Sequence, residues 1–218
     1  MRRTLMAAVV AVVAVLGGVS TARAVNLINP GFDAQDVSGG DAFGATGWSA
    51  FNFAFTTDDI PANSPSNVLK IFGPFFQFGG SGVVQGGFAA SAGQLWEASA
   101  YARIHSADAI DPQNFAVVKL EFLDAGNTVI GFAESPQITT ASLPADIWQQ
   151  FTAQGIAPAG TSSAQIVLVH VQLDNPPAGG AIFFDDASFG VIPEPATALM
   201  GILGLVGWVG FARRPRRT

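Results

Sequence analysis

The stretch FAVVKLEFL, Phe115 to Leu123, decides the fold. Ala116, Val118, Leu120 and Phe122 fall on one face and Lys119 and Glu121 on the other, the period-two alternation of a strand with one side buried. It runs into Asp124, Ala125, Gly126 and Asn127, a turn cluster, and then into Val129 to Ala133, so the two runs predict a β-hairpin. Working outward, Leu95 to His105 sets Trp96, Ala98, Ala100, Ala102 and Ile104 against Glu97, Ser99, Tyr101, Arg103 and His105. Gln165 to Leu173 is apolar on both faces apart from His170 and Gln172, which predicts a central position in a sheet. Ala181 to Phe189 reads as the closing strand. Weaker strands are expected at Val25 to Phe32, Trp48 to Phe53, Val68 to Phe72, Gly82 to Phe88 and Trp148 to Ala153, with loops at Gly79 to Gly87, overlapping one of them, and at Asn175 to Gly180. About ten short strands and no helix in the body predict an all-β chain of two packed antiparallel sheets.

Both ends of the chain stand apart from this pattern. Arg2 and Arg3 precede the apolar run Leu5 to Val19, and Ala22, Arg23, Ala24 supply a small-x-small cleavage site, so residues 1–24 read as a secretory signal peptide and Val25 as the first mature residue; a retained N-terminal anchor is the alternative. At the other end Pro193, Glu194 and Pro195 make a stiff break, Ala196 to Ala212 is uncharged, and Arg213, Arg214, Arg216 and Arg217 close the chain. As a helix that run spans about 25 Å, enough to cross a membrane when the arginines reach for the headgroups. Arginine-rich flanks stay in the cytoplasm, so the body between the two ends is expected outside the cytosol.

This tail resembles the PEP-CTERM sorting signal of Gram-negative bacteria that make extracellular polymer. The resemblance implies recognition and cleavage near Pro193–Pro195 by a membrane-embedded exosortase, transient residence in the inner membrane through the C-terminal helix, and delivery to the cell surface or extracellular matrix. An ordinary single-span anchor is the alternative, and it too exports the body.

Excluding both ends leaves one domain, 25–192. Of ten basic residues only Lys70, Arg103 and Lys119 lie in it, against fifteen of the sixteen acids, a charge of −12. That sign argues against nucleic acid and anionic membrane as partners, and suits neutral polymers or divalent cations. The chain has no cysteine, which removes disulfides, thiol catalysis and thiolate metal sites.

The body also carries Asn29, Pro30, Gly31, Phe32, Asp33 near its start, then Gly47 and Trp48, Gly93 through Arg103, and Phe183, Phe184, Asp185, Asp186 at its end. This order resembles the family 4/9 carbohydrate-binding modules, which implies a galactose-binding-like jelly roll. Because the first and last strands of a jelly roll run close together, Asp33, Asp185 and Asp186 are candidate ligands of a structural Ca2+. The resemblance places acids at Asp33 and Asp185, with aspartate where glutamate is usual. On this reading a chelator lowers the melting temperature.

A polysaccharide-binding band is expected from Tyr101, Arg103 and His105 on one strand, Lys119 and Glu121 on a second, and His170 and Gln172 on a third, with Tyr101 as the ring on which a sugar stacks. A solvated sheet face is the alternative. Trp48, Trp96 and Trp148 are expected in the core, along with at least two of Phe72, Phe75, Phe76 and Phe78; exposed, those phenylalanines would form a sticky patch. His105 and His170 lie in no Gly-x-Ser-x-Gly or His-Glu-x-x-His frame, so no catalytic residue is assigned. The expectation is a non-catalytic exported sandwich that binds polysaccharide, with a structural or adhesive surface protein as the rival reading and a glycan hydrolase, from carboxylates such as Glu97 and Glu121, behind it.

Overall fold

In the computed structural model residues 25–192 are described. The signal-peptide and sorting-tail expectations fall on residues 1–24 and 193–218, outside them. Eleven strands follow one another: β1 (Ala42–Phe43), β2 (Ser49–Phe51), β3 (Ala54–Thr57), β4 (Val68–Phe72), β5 (Gly79–Ala89), β6 (Leu95–Ile104), β7 (Phe115–Leu123), β8 (Val129–Glu134), β9 (Gln149–Ile156), β10 (Ser163–Gln172) and β11 (Ala181–Val191). They form two antiparallel sheets, one of six strands in the order β1-β3-β4-β11-β6-β9 and one of five in the order β2-β5-β10-β7-β8. The fold is the expected all-β sandwich, consistent with a jelly roll. No helix among the described residues is long and apolar enough to cross a membrane.

Alternation builds the core. Trp96, Ala98, Ala100, Ala102 and Ile104 of β6 face Ala116, Val118, Leu120 and Phe122 of β7 across the sandwich, joined by Leu69 and Ile71 of β4 and by Ile182, Phe184 and Phe189 of β11. Phe189 packs between Phe88 and Trp96, with ring centroids 5.4 and 5.0 Å away. The 115–134 hairpin is as read, with β8 beginning at Val129. β10 is central in its sheet, hydrogen-bonded to β5 on one side and β7 on the other. Every strand and both apolar clusters lie within the compact unit Ala24–Ile192, which therefore holds the interactions needed to fold without the rest of the chain.

Three local expectations need correction. Val25 to Phe32 is not a strand: Asn29 and Phe32 sit at φ of 51° and 61°, which curls the chain. Ile28 bonds sideways to the Gln85 amide, whose Oε1 accepts its N–H at 2.7 Å and whose Nε2 donates to its carbonyl at 2.9 Å. Its apolar residues still reach the core, with Phe32 fully buried against Trp48 at 5.5 Å between centroids. Gly79 to Gly87 is not a loop but most of β5, because glycines let a strand pass where side chains would collide. Trp148 lies outside the intersheet core, half-buried, donating its indole N–H to the Pro61 carbonyl at 3.1 Å.

Two glycines separate space from conformation. A Cβ on Gly82 would strike the Leu168 carbonyl and the Phe51 ring, so Gly82→Ala should cost several kcal/mol by prising β5 from β10. Gly93 has φ +85° and open space around it, so Gly93→Ala should cost only about 1 kcal/mol. Denaturant midpoints of the two variants would measure the difference.

Candidate functional site

The six-stranded sheet turns one face inward and the other outward, and the register of its outer face sets side chains in a row. Phe43 of β1 lies opposite Phe55 of β3, Phe55 opposite Lys70 of β4, Lys70 opposite Phe183 of β11, and Phe183 opposite Arg103 of β6. Two edge-to-face contacts make a step of rings, Phe43 to Phe55 at 5.8 Å and Phe55 to Phe72 at 6.2 Å. The Lys70 ammonium sits 5.0 Å above Phe72 and 5.8 Å above Phe183, held by Asp59 at 2.6 Å and Asp41 at 3.6 Å.

Around Lys70 the electrostatics follow from partial burial. Burial alone would favour the neutral amine, but the hydrogen bond Lys70 donates to Asp59 and the charges of Asp41, Asp59 and Asp108 outweigh it and hold the pKa of Lys70 above its ordinary value. Asp59 is correspondingly lowered, first by its bond from Lys70. Asp108 is raised by burial, against the pull of Lys70 and His105. Farther along the row Arg103 donates to Asp146 at 3.2 Å and His105 lies 3.9 Å from the same oxygen. Asp146 is held down to about 2, chiefly by its hydrogen bonds from Ser106.

Part of this face is roofed by the segment between β3 and β4, and the aspartates expected to meet do so there. Asp185 Oδ2 accepts the backbone N–H groups of Asn63 (2.8 Å) and Ser64 (3.0 Å), while Asp186 accepts the Asn63 amide and the Ser64 hydroxyl at 2.7 Å each. Asp33 Oδ1 accepts the N–H groups of Ser66 and Asn67. Among the described residues no group of three or more His, Cys, Asp or Glu is placed to hold a metal ion. Asp185 is committed to the loop amides, yet a smaller oxygen set remains. Asp33 Oδ2, Ser64 Oγ and Asp186 Oδ1 surround the space a Cβ of Gly31 would fill, at 3.1, 3.4 and 3.7 Å. Hard oxygens are the donors calcium takes, and Asp33 and Asp186 would supply the charge in such a set.

The polysaccharide band expected from sequence does not form as one surface. Tyr101, Arg103 and His105 belong to the outer face just described. Lys119 and Glu121 lie on the outer face of the other sheet, paired with each other at 2.9 Å. His170 and Gln172 point inward: His170 Nδ1 meets the Ile71 carbonyl at 3.2 Å across the sandwich, and Gln172 is fully buried. β10 alternates like any strand, and these two polar residues fall on its core parity with Ile166 and Leu168. Glu97 and Glu121 are likewise on different sheets. The row containing Phe43, Phe55 and Lys70 was missed because β1 and β3 are two and four residues long, too short for a periodicity to register.

No family model matches the chain, and no curated protein matches it. Among solved structures it is similar to the CBM22-1 xylan-binding domain of Paenibacillus barcinonensis Xyn10C, at 13% identity and a TM-score of 0.52 over 81% of this chain and 100% of that one. The likeness is one of fold, a two-sheet β-sandwich. A Stig cyclase from Fischerella sp. TAU, in complex with an indole compound, shares it at 14% identity and a TM-score of 0.57 over 80% of this chain and 100% of that one. So does an arabinose-bound α-L-arabinofuranosidase, at 18% identity and a TM-score of 0.52, of which the match covers 27%.

Two relocated residues predict opposite pH responses. Burial pushes Asp185 up to about 6, against the loop amides that stabilise its charge, so its contribution is greatest below about pH 4 and is lost as pH rises through 6. Burial pushes His170 down to about 4, so its contribution is present above its unfolded value near 6.5 and is lost as pH falls through 4. Relative to the native protein, melting midpoints between pH 6.5 and 4 should rise on acidification in His170→Gln and fall in Asp185→Asn.

Proposed function

We propose that the sandwich binds polysaccharide without turning it over, through the open part of the outer face around Phe43, Phe55 and Phe72. The observation that carries this is the cross-strand row itself: stepped aromatic rings bordered by Asp41, Asp59, Lys70 and Asp108. Sugar rings present apolar C–H faces that stack on aromatics, and hydroxyls that hydrogen-bond to carboxylates and ammonium groups, so a ring step beside charged acceptors suits them. The fold shared with a xylan-binding domain supports the same reading. Tyr101, Arg103 and His105 extend the surface along β6, whereas Lys119, Glu121, His170 and Gln172 take no part in it. A non-catalytic role is part of this proposal, as is a calcium ion between Asp33 and Asp186 that fastens the roofing segment.

Export belongs to the proposal as well, on sequence grounds: cleavage after Ala24, sorting by an exosortase at Pro193–Pro195, and residence at the cell surface or in the extracellular matrix. The acidic body fits a partner that is neutral or cationic, not nucleic acid.

The unit 24–192 should be retained on insoluble xylan or on the exopolymer of its own organism, and soluble oligosaccharide should displace it. Phe43→Ala with Phe55→Ala should weaken retention by about 10- to 100-fold, at roughly 1 kcal/mol per stacked ring. Retention by neither polymer, or equal retention by the double variant, would remove this face from consideration, and release of reducing ends would restore the hydrolase. Separately, calcium should raise the melting midpoint of the native unit and not that of Asp186→Asn; no response in either would dismiss the ion.

A further inference from the structure

The connection between β4 and β5 exposes phenylalanines rather than burying them. Phe75, Phe76 and Phe78 are 49%, 53% and 77% exposed, and Phe53, at 40%, lies edge-on to Phe75 at 5.2 Å. Of the four phenylalanines in this segment only Phe72 reaches an apolar cluster, contrary to the expectation that at least two would be core. Nor is this a slack loop. Buried Gln172 grips it, accepting the Phe75 N–H on its side chain at 2.7 Å and the Phe78 N–H on its backbone carbonyl at 2.8 Å, while its amide donates to Ala178 at 3.0 Å. Gln77 adds a bond to the Leu173 carbonyl at 3.0 Å. Phe75 and Phe78 both stand at φ 61°, a backbone region costly for bulky side chains. The fold thus spends rigidity and strain to hold apolar rings in water.

The chemistry of the patch identifies its partner. Asp41, Asp59 and Lys70 border the ring step of the outer face, and the segments that carry these other rings supply no such border. The segments that carry these rings, 52–53 and 73–80, contain no charged residue in a body of charge −12, and neighbouring Asp174 is buried. Identical acidic bodies repel wherever their acids face each other, and rings on uncharged segments let two copies meet with less of that repulsion. A two-fold contact sets rings against rings, which is self-complementary. β11 starts beside the tip, with Ala181 opposite Phe72, and ends at Val191 opposite Trp96, about 35 Å away, so a tip-to-tip pair leaves both Ile192 residues at its far ends.

We infer that the phenylalanine tip is a self-association surface, docking a second copy of this chain head to head. The rings offer roughly 400 Å² per copy, well under the area of a stable complex, so the pair is weak and forms where the protein is concentrated. Sedimentation velocity of the unit 24–192 should show a mass rising from one copy towards two as concentration climbs from about micromolar to millimolar, and added salt should favour the pair. Phe75→Asn with Phe78→Asn removes two rings at positions where asparagine accepts the backbone better. That variant should melt no lower than the native unit and associate at least about tenfold more weakly. A mass of one copy throughout would overturn the inference. So would a variant that pairs as well as the native unit, or one that loses polymer retention while the native unit stays single.

Discussion

One extra residue in β11 shapes the face on which the proposal rests. Asp185 is opposite Tyr101 and Ser188 opposite Ser99, so three steps on β11 match two on β6, a β-bulge centred on Asp186 at φ 47°. Before it Phe183 and Asp185 point outward and Phe184 inward; after it Ala187 and Phe189 return to the core. The bulge lets two consecutive aspartates serve the same side of the sheet, which strict alternation forbids. Together they clasp Asn63 and Ser64, and Asp33 completes the clasp at Ser66 and Asn67. That holds residues 58–66 over part of the outer face, and beside it Phe43 stays exposed while Phe55, Phe72 and Lys70 are partly covered.

The clasp also explains the buried charge. Asp185 has no solvent exposure, and an isolated buried carboxylate is costly. Its oxygens accept three backbone N–H groups, those of Asn63, Ser64 and Asp186. These offset much of the desolvation without a neighbouring cation, though not all of it, since its pKa stays raised.

Sequence made the long strands readable and left the site partly hidden. β6 and β7 show their alternation over ten and nine residues, and the central place of β10 follows from its two apolar faces. What the alternation could not give was which polar residue faces inward. His170 and Gln172 are polar exceptions on a buried strand, and solvent exposure was the natural assumption for them. Their partners, Ile71 and Phe75, are some hundred positions away and invisible to local pattern. The convergence of Asp33 with Asp185 and Asp186 was legible because it follows from topology, while the amides that occupy them belong to a loop with no signature of its own.

The polar end of β10 accounts for the asymmetry between the two ends of the sandwich. Near Ile166 and Leu168 the strand contributes only hydrocarbon to the core. Two and four residues beyond Leu168 it offers an imidazole to the opposite sheet at Ile71 and an amide to the 73–78 connection. A turn with bulky residues at positive φ lacks ladder partners for its amides, and unpaired amides next to a core are expensive. Gln172 provides them at Phe75 and Phe78. The same side chain occupies the space beside Gly73 that a Cβ would fill, so the glycine and the glutamine depend on each other. A polar residue inside the sandwich is thus the condition for presenting apolar residues outside it.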